Sequence, residues 1–248
     1  MESSSSSVPT AAGKASRPDH LVLRLMTAED KEEVARLFTE TFKREPLGEY
    51  HGLEPSVGRH IAEASVLDPV SFVVEDTSLE GPHRLIAFRT SYIGNAAMLA
   101  AKQKKAGEGG EQDAVQAILN HMEGLWLEKT TVFKSNPDAK VMKFIALGVD
   151  SRYEGHGLAK ELLNAAMNKA VEMKCDAVAV LASAFATQHL FSSRLGFEEM
   201  GRVRYSDFTW INKRNGGVVE RPFEKLYQPE FFMAFEKKLA PATPSNAS

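Results

Sequence analysis

The residues whose type and spacing point most clearly to a chemical role are two glycines separated by one residue, Gly155 and Gly157. They lie within the stretch from 142 to 174. They follow a strand-like apolar run and precede a strongly amphipathic helix. Glycine lacks Cβ, so the backbone there can turn tightly and approach a ligand closely. The helix that begins near Leu158 directs unpaired N–H groups and the positive end of its dipole at the same place. The sequence therefore predicts a phosphate-binding loop.

Two common phosphate-binding loops do not match this stretch. A Walker A loop ends in Gly-Lys followed by Ser or Thr, whereas Gly157 is followed by Leu-Ala-Lys. A dinucleotide fingerprint that starts at Gly155 needs glycine or alanine where this chain has Lys160, and it usually lies in an early βαβ unit. The loop therefore belongs to neither of these classes.

The stretch resembles the acetyl-CoA loop of the GNAT superfamily of N-acetyltransferases, written Arg/Gln-x-x-Gly-x-Gly/Ala after a Leu-x-Val strand. Leu147, Val149, Gly157 and Ala159 match that pattern, and Glu154 stands in place of its Arg or Gln. An acid beside a pyrophosphate is unfavourable unless it turns to solvent, so we expect backbone amides to carry most of the binding. The resemblance implies acetyl-CoA as co-substrate and no metal. It implies contacts from Leu147, Gly148, Val149, Gly155, His156, Gly157, Leu158, Ala159 and Lys160.

A second match lies downstream, where residues 194–200 resemble the superfamily's Lys/Arg-Leu-Gly-Phe junction between the last core helix and the next strand. The resemblance implies an α/β fold with a mixed, twisted central β-sheet flanked by helices. Residues 94–140, before the acetyl-CoA-binding strand, are longer than the superfamily's usual connection, and helical spacing predicts one helix in this insertion, at 112–128. Periodicity and turn residues predict strands at 20–26, 71–76, 84–93, 141–149, 176–182 and 198–208. They predict helices from Thr27 to Pro46 and at 54–66, 112–128, 157–173 and 185–194.

Composition predicts one globular domain with disordered tails. The chain has 248 residues, of which 43% are hydrophobic and 25% charged, which is enough for one sizeable core. We expect the domain at 19–239. The segments 1–18 and 240–248 are rich in Ser, Ala and Pro and are predicted to be disordered.

Charge and cysteine content bear on partners and location. The net charge of −3, with no basic stripe interleaved with aromatic residues, disfavours nucleic acid as a partner. The first residues lack the basic and apolar regions of a secretory signal, and no apolar run reaches membrane-spanning length. The single cysteine, Cys175, excludes an intrachain disulfide and favours a reducing compartment. We therefore expect a cytoplasmic protein without membrane contact, as a monomer or a weak homodimer.

Glu45 is the candidate for a general base. An alkylamine has a pKa of about 10.4, so at neutral pH roughly one molecule in two thousand is the free base that attacks a thioester. Glu45 lies in Phe42-Lys-Arg-Glu-Pro-Leu47, which resembles the Asp/Asn-Glu-Pro-Leu motif of insect arylalkylamine N-acetyltransferases. The resemblance makes this glutamate the base. A carboxylate at a helix C-terminus opposes the helix dipole, so helix stability does not explain it, and a solvated helix-end glutamate is the alternative.

Two hydroxyl residues complete the predicted catalytic set. Ser183 and Thr187 have the four-residue spacing found after the next strand in the insect-type enzymes, and on a helix this spacing places both hydroxyls on one face. If this sequence is aligned with the insect-type pattern without a gap, Ala184 and Gln188 occupy the positions of the two hydroxyl residues instead. Ser183 could instead cap the helix.

The acid and the acceptor pocket are less clearly marked. Many superfamily members use a tyrosine as the acid at a position that is Ser192 here, so the proton donor is left open between solvent, the two hydroxyls and Tyr205. The aromatic pocket expected around Glu45 consists of Phe42, Leu47, Tyr50 and Phe191.

These features predict an N-acetyltransferase that transfers acetyl from acetyl-CoA to the primary amine of a small arylalkylamine such as dopamine, tyramine, octopamine or serotonin. The first alternative is an enzyme of the same superfamily that acts on polyamines or a protein lysine. The second alternative, suggested by Glu154 and Ser192, is a non-catalytic acyl-CoA-binding module.

Overall fold

The computed structural model describes residues 18–51, 55–108 and 113–240. Its strands are β1 Leu21–Leu25, β2 Phe72–Asp76, β3 Leu85–Gly94, β4 Val141–Val149, β5 Ala177–Ala182, β6 Glu198–Arg204, β7 Trp210–Asn212, β8 Val218–Glu220 and β9 Phe231–Lys238. Its helices are α1 Lys31–Phe42, α2 Pro46–His51, α3 Pro55–Ala64, α4 Ala96–Glu108, α5 Ala114–Lys129, α6 Val132–Ser135, α7 Leu158–Glu172 and α8 Phe185–His189.

Seven of the strands form one sheet in the order β1-β2-β3-β4-β5-β9-β6, and β7 and β8 form a separate hairpin. Neighbours in the large sheet are antiparallel except β4 and β5, which are parallel. Helices flank this mixed sheet, so the predicted fold class is confirmed.

Helices cover both faces of the sheet. Alternate residues of a strand point to opposite faces, and in β4 Met142 and Phe144 pack on the α7 side while Val141 packs on the other. On that second face α1 and α3 cover β2 and β3, with Phe38 against Phe88. The rest of the second face is covered by α5, which contacts β5, β6 and β9.

The predicted effect of Pro46 on the first long helix was wrong. We expected Pro46 to end that helix, yet α1 ends at Phe42 and Pro46 is the first residue of α2. Proline is well tolerated at the first helical position, because an N–H there has no partner within the helix. The chain therefore makes a corner between Phe42 and Pro46, and Glu45 lies in it.

The insertion contains three helices, α4, α5 and α6, where one was predicted. The predicted helix corresponds to α5, whereas part of the Gly-rich segment before it, residues 109–112, lies outside the described residues. Ile118, Met122 and Trp126 of α5 are fully buried against the sheet. Core packing therefore explains the apolar stripe of this helix.

A buried charge cluster fastens α5 to the sheet. Lys143 of β4 and Glu236 of β9 lie in one row of in-register residues across β5. The ammonium of Lys143 is 2.9 Å from the carboxylate of Glu123 on α5 and 3.6 Å from the centre of the Trp126 ring. Glu236 accepts hydrogen bonds from Trp126 Nε1 at 2.9 Å and Thr130 Oγ1 at 2.6 Å. These side chains are nearly inaccessible to solvent, so removing one partner leaves an uncompensated buried charge.

The substitution Lys143→Met tests this cluster. It should lower the free energy of unfolding by about 3–5 kcal/mol, because the Glu123 carboxylate stays buried without its cation. Chemical denaturation measures the change. Lys102→Met removes an exposed cation from the same insertion and should change the stability by less than about 0.5 kcal/mol. Equally small effects of both substitutions would contradict a fastening role for the ion pair.

Candidate active site

A cleft of about 630 Å³ lies between the α1–α2 corner and the carboxyl end of β4. Its walls consist of residues 40–45 on one side and residues 147–151 with Glu154 on the other, and Ala159 of α7 and Ala186 of α8 complete it. The predicted base and the predicted phosphate loop therefore face the same space.

The cleft exists because β4 and β5 part from each other. They pair only from Val141 to Phe144 of β4. Beyond that point β4 continues to Val149 in register with β3, while the last residues of β5 pair with β9. The backbone N–H and C=O groups on the β5-facing edge of β4 are then without a strand partner. An extended ligand that contains amides can bind along this edge as an added strand does.

The loop between β4 and α7 is anchored at two points. The carboxylate of Asp150 accepts hydrogen bonds from the backbone N–H of Arg152 at 2.9 Å and from its guanidinium at 2.7 Å. Tyr153 donates its hydroxyl to Asp76, a buried residue at the end of β2, at 2.6 Å. The contacts of Asp150 stabilise the turn of the loop itself, and the contact of Tyr153 holds the loop on the sheet.

The glycines of the loop leave open space in front of α7. Gly155 and Gly157 have φ values of +81° and +80°, in the left-handed region where other residues are strained. A Cβ added to either glycine meets no atom within 4 Å. Gly157 is also the N-cap of α7, so the first N–H groups of this helix point at the open space. The loop thus has the room and the donors that the diphosphate of acetyl-CoA requires.

The other residues predicted to bind acetyl-CoA differ in their position: some line the cleft, one is buried behind it, and two are exposed. Residues 147–149 and Ala159 line the cleft. Leu158 is almost fully buried, so its backbone alone is available to a ligand. The side chains of His156 and Lys160 are exposed.

Glu45 has the environment of a general base. Its carboxylate lines the cleft, and Ser183 Oγ donates a long hydrogen bond of 3.4 Å to Oε2. Burial raises the pKa of Glu45 above its usual value, and the hydrogen bond from Ser183 opposes part of this rise. A carboxyl group with a raised pKa on the wall of a cleft is suited to proton transfer near neutral pH.

Of the two predicted hydroxyl residues, Ser183 is the one that reaches Glu45. The N-cap of α8 is Ala184, so Ser183 lies before the helix and does not cap it. Thr187 lies within α8, and in the described part of the chain no hydrogen bond joins it to Glu45. The expectation that both hydroxyls share one helical face was therefore wrong. Gln188, from the ungapped alternative, is buried and donates to backbone carbonyl groups.

The predicted aromatic pocket is only partly present. Phe42 lines the cleft, and its ring stacks on that of Phe38 with centroids 4.3 Å apart. Leu47 is buried against the insertion, and the side chain of Tyr50 lies outside the described residues. The assignment of Phe191 was wrong, because this ring is fully buried in the core on the α7 side of the sheet.

Tyr205 supports the residues on which Glu45 depends. It is fully buried, its ring is stacked with that of Phe232, and its hydroxyl donates to the carbonyl oxygen of Ser183 at 3.1 Å. Burial raises the pKa of Tyr205, and the nearby charge of Glu45 raises it further. A phenol that is buried, held neutral and directed at a carbonyl oxygen is a poor donor to a thiolate, so Tyr205 acts as a support.

Two cleft residues, Lys43 and Arg44, were not predicted to belong to the site. Both line the cleft beside Glu45 and both are exposed. Their sequence position directly before Glu45 was the available signal, but basic residues at the end of a helix are common for helix stability alone.

Residues 126–197 match the family described as the acetyltransferase (GNAT) family, from within α5 to the Leu-Gly-Phe junction. This match covers less than a third of the chain. The predicted resemblance to the GNAT superfamily is thereby confirmed. No curated protein sequence matches the chain significantly.

Solved structures of GNAT proteins share the fold along nearly the whole chain. Arylalkylamine N-acetyltransferase-like 5b of a mosquito is 19% identical, with a TM-score of 0.71 over 88% of this chain and 100% of that one. Arylalkylamine N-acetyltransferase 2 of Aedes aegypti is 21% identical, with a TM-score of 0.69 over 90% and 100%. A Drosophila melanogaster polyamine N-acetyltransferase that forms N-acetylagmatine is 18% identical, with a TM-score of 0.69 over 88% and 100%. At these identities the similarity establishes the fold.

Two kinds of feature are absent from the described residues. Among the described residues, no group of three or more His, Cys, Asp or Glu side chains is arranged to hold a metal ion. No helix in the described ranges is long and apolar enough to cross a membrane.

The substitution Gly157→Val tests the phosphate loop. Gly81, in the β2–β3 turn, provides a matched control because its φ is +78° and an added Cβ there also meets nothing within 4 Å. Both substitutions should cost a similar amount of stability, on the order of 1–3 kcal/mol from backbone strain. Gly157→Val alone should raise the KM for acetyl-CoA strongly, because its side chain occupies the space that the diphosphate needs. A KM that changes equally in both variants would contradict the loop assignment.

Proposed function

We propose that the protein transfers the acetyl group of acetyl-CoA to the primary amine of a small arylalkylamine of the dopamine, tyramine, octopamine or serotonin class. The observation that carries the proposal is the position of Glu45. This half-buried carboxylate has a raised pKa and lines the same cleft as the unpaired edge of β4 and the glycine loop. A base and a thioester-binding strand on one cleft are what aminolysis of acetyl-CoA requires.

The proposed reaction is direct attack of the amine on the thioester. The nitrogen lone pair forms a bond with the carbonyl carbon, and the carbon–sulfur bond then breaks to release CoA. Glu45 accepts the amine proton, directly or through water, which offsets about 4–5 kcal/mol needed to deprotonate an alkylamine at neutral pH. A backbone N–H near Val149 stabilises the tetrahedral oxyanion. Solvent or Ser183 supplies the proton to the thiolate.

The composition of the cleft wall supports an arylalkylamine over a polyamine. A polyamine carries several positive charges and is recognised by several uncompensated acids. Here Glu40 is paired with Arg36 and Asp150 with Arg152. The acids left for an amine are the proposed base Glu45 and Glu154 of the glycine loop, and Lys43 and Arg44 add two cations to the lining. Phe42 next to the base provides an apolar ring against which an aromatic group can pack.

Location and assembly complete the proposal. Cys175 is buried and burial raises the pKa of its thiol to about 11, so it is an unreactive packing residue suited to a reducing compartment. We propose a cytoplasmic enzyme that acts as a monomer or a weak homodimer on a small-molecule amine.

Acetyl-CoA turnover, measured by thiol release across a panel of arylalkylamines, polyamines and lysine peptides, tests this function. Arylalkylamines should give the highest kcat/KM. A preference for agmatine or spermidine would replace the proposed substrate class. Binding of CoA without turnover of any amine would favour a non-catalytic module.

Glu45→Gln keeps the size of the side chain but removes the base. At neutral pH its kcat/KM should fall by roughly 10²- to 10⁴-fold, the usual contribution of a positioned base, while acetyl-CoA affinity stays nearly constant. The defect should shrink as the pH approaches the pKa of the amine, because solution then supplies free base. Glu49→Gln is the control, since Glu49 is exposed on α2 and does not line the cleft. A defect that is independent of pH would assign Glu45 a structural role.

Ser183→Ala should alter the pH dependence of the reaction. The hydrogen bond from Ser183 stabilises the charged form of Glu45, so its loss should raise the pKa of Glu45 further. Because the base must be deprotonated, the acid limb of the kcat/KM profile should move to higher pH. Thr187→Ala, which removes the other hydroxyl, should leave that limb in place. An equal movement in both variants would show that the 3.4 Å contact does not set the pKa of the base.

A further inference from the structure

The ionisable residues of the cleft wall are not all compensated by neighbouring protein charges. Two of the acids are paired, Glu40 with Arg36 at 2.7 Å and Asp150 with Arg152 at 2.7 Å. Glu45 is half-buried and faces Ser183. The remaining charges on the wall are Glu154 in the glycine loop and the two cations at the end of α1.

Lys43 and Arg44 are free to bind a ligand. Both side chains are exposed, and neither forms an ion pair with any residue in the described part of the chain. Helix-end cations that serve only the helix dipole can point anywhere into solvent. These two instead lie on the wall of a cleft whose opposite wall carries the phosphate loop.

The expected ligand of the cleft is an anion with several phosphate charges. The loop offers it backbone N–H groups and the dipole of α7, but Glu154 takes the position where the superfamily pattern has Arg or Gln. An uncompensated acid on the loop weakens phosphate binding unless a cation is supplied from elsewhere.

We propose that Lys43 and Arg44 bind the phosphate groups of CoA from across the cleft and replace the cation that the loop lacks at position 154. The proposal rests on the proposed function only in taking CoA as the ligand. Arg44 directly precedes Glu45, so a phosphate bound by Arg44 lies beside the corner that carries the proposed base.

Three ligands that differ in phosphate content test the proposal on the full chain. Titration calorimetry is performed with CoA, with 3′-dephospho-CoA and with pantetheine, the last by competition. Lys43→Gln and Arg44→Gln should each weaken CoA binding about 10-fold, and the double substitution about 100-fold, as expected for lost charge-assisted hydrogen bonds. Pantetheine, which has no phosphate, should bind the variants and the unmodified chain alike. The salt dependence of CoA binding should also become shallower.

Two further variants distinguish direct contact with the phosphate groups from a general effect of net charge on CoA affinity. Lys31→Gln makes the same change of charge at the other end of α1 and should leave CoA affinity unchanged. Glu154→Arg, added to the double variant, should recover at least 10-fold in CoA affinity, because it restores a cation to the loop. No recovery would show that the two cations do not act in place of a loop cation.

The remaining outcomes also decide the question. Unchanged CoA affinity in the double variant would overturn the proposal, and so would an equal weakening of CoA and pantetheine, which indicates a change of cleft shape. Comparison of CoA with 3′-dephospho-CoA shows which phosphate is bound, since a loss confined to CoA identifies the 3′-phosphate. Amine turnover by the unmodified chain is measured separately. CoA binding with these mutational effects but without turnover would reject the proposed function and retain this inference.

Discussion

The structure depends on one constraint, that β4 and β5 pair over four residues and then separate. A register shift between Thr90 and Ser91 leaves an extra residue in β4 at Ile145, directly after the last β4–β5 pair. Bulges bend a strand and change its twist, so β4 departs from β5 at this point. β5 is meanwhile held by β9 along its whole length from Ala177 to Ala182. The two strands cannot rejoin, and the space between their ends becomes the cleft.

The arrangement of the proposed catalytic groups follows from this separation. Ser183 comes directly after the end of β5, so its position is fixed by the strand and by the hydrogen bond from Tyr205. Glu45 reaches the same place from the other side because α1 breaks before Pro46 and turns its corner into the cleft. The corner is unfavourable for an acid, since it combines a helix C-terminus with burial. Burial at this corner raises the pKa of Glu45 above its usual value.

Local chemistry made the fold and half of the site predictable. Gly155 and Gly157 could be identified because a left-handed backbone in front of a helix restricts the residue type, and the strands and α7 because their periodicity is strong. Phe191 could not be placed, since an aromatic residue on a short helix fits a core and a pocket equally well. The prediction that Thr187 lies beside Ser183 was wrong for a related reason. A four-residue spacing places two side chains on one face only if both residues lie in the same helix, and Ser183 lies before α8.

Other features are visible only in three dimensions. Gly148 was assigned to acetyl-CoA binding from its position in the strand, yet a Cβ there would clash with the ring of Phe88 and lie 2.7 Å from the hydroxyl of Thr41. Its small size is therefore required by packing against α1, whatever its role towards a ligand. The pairing of Lys143 with Glu123 likewise joins two segments 20 residues apart through tertiary contact alone.

The position of Trp126 gives the protein an optical property. The chain has two tryptophans, and Trp126 is fully buried between α5 and the sheet while Trp210 lies in the β7–β8 hairpin. Neither of them lines the cleft. The indole of Trp126 contacts an ammonium and donates to a carboxylate, so its fluorescence depends on a dry, charged environment. Emission that shifts to longer wavelength on addition of a ligand would therefore report movement of α5, and filling of the cleft by itself would leave the spectrum unchanged.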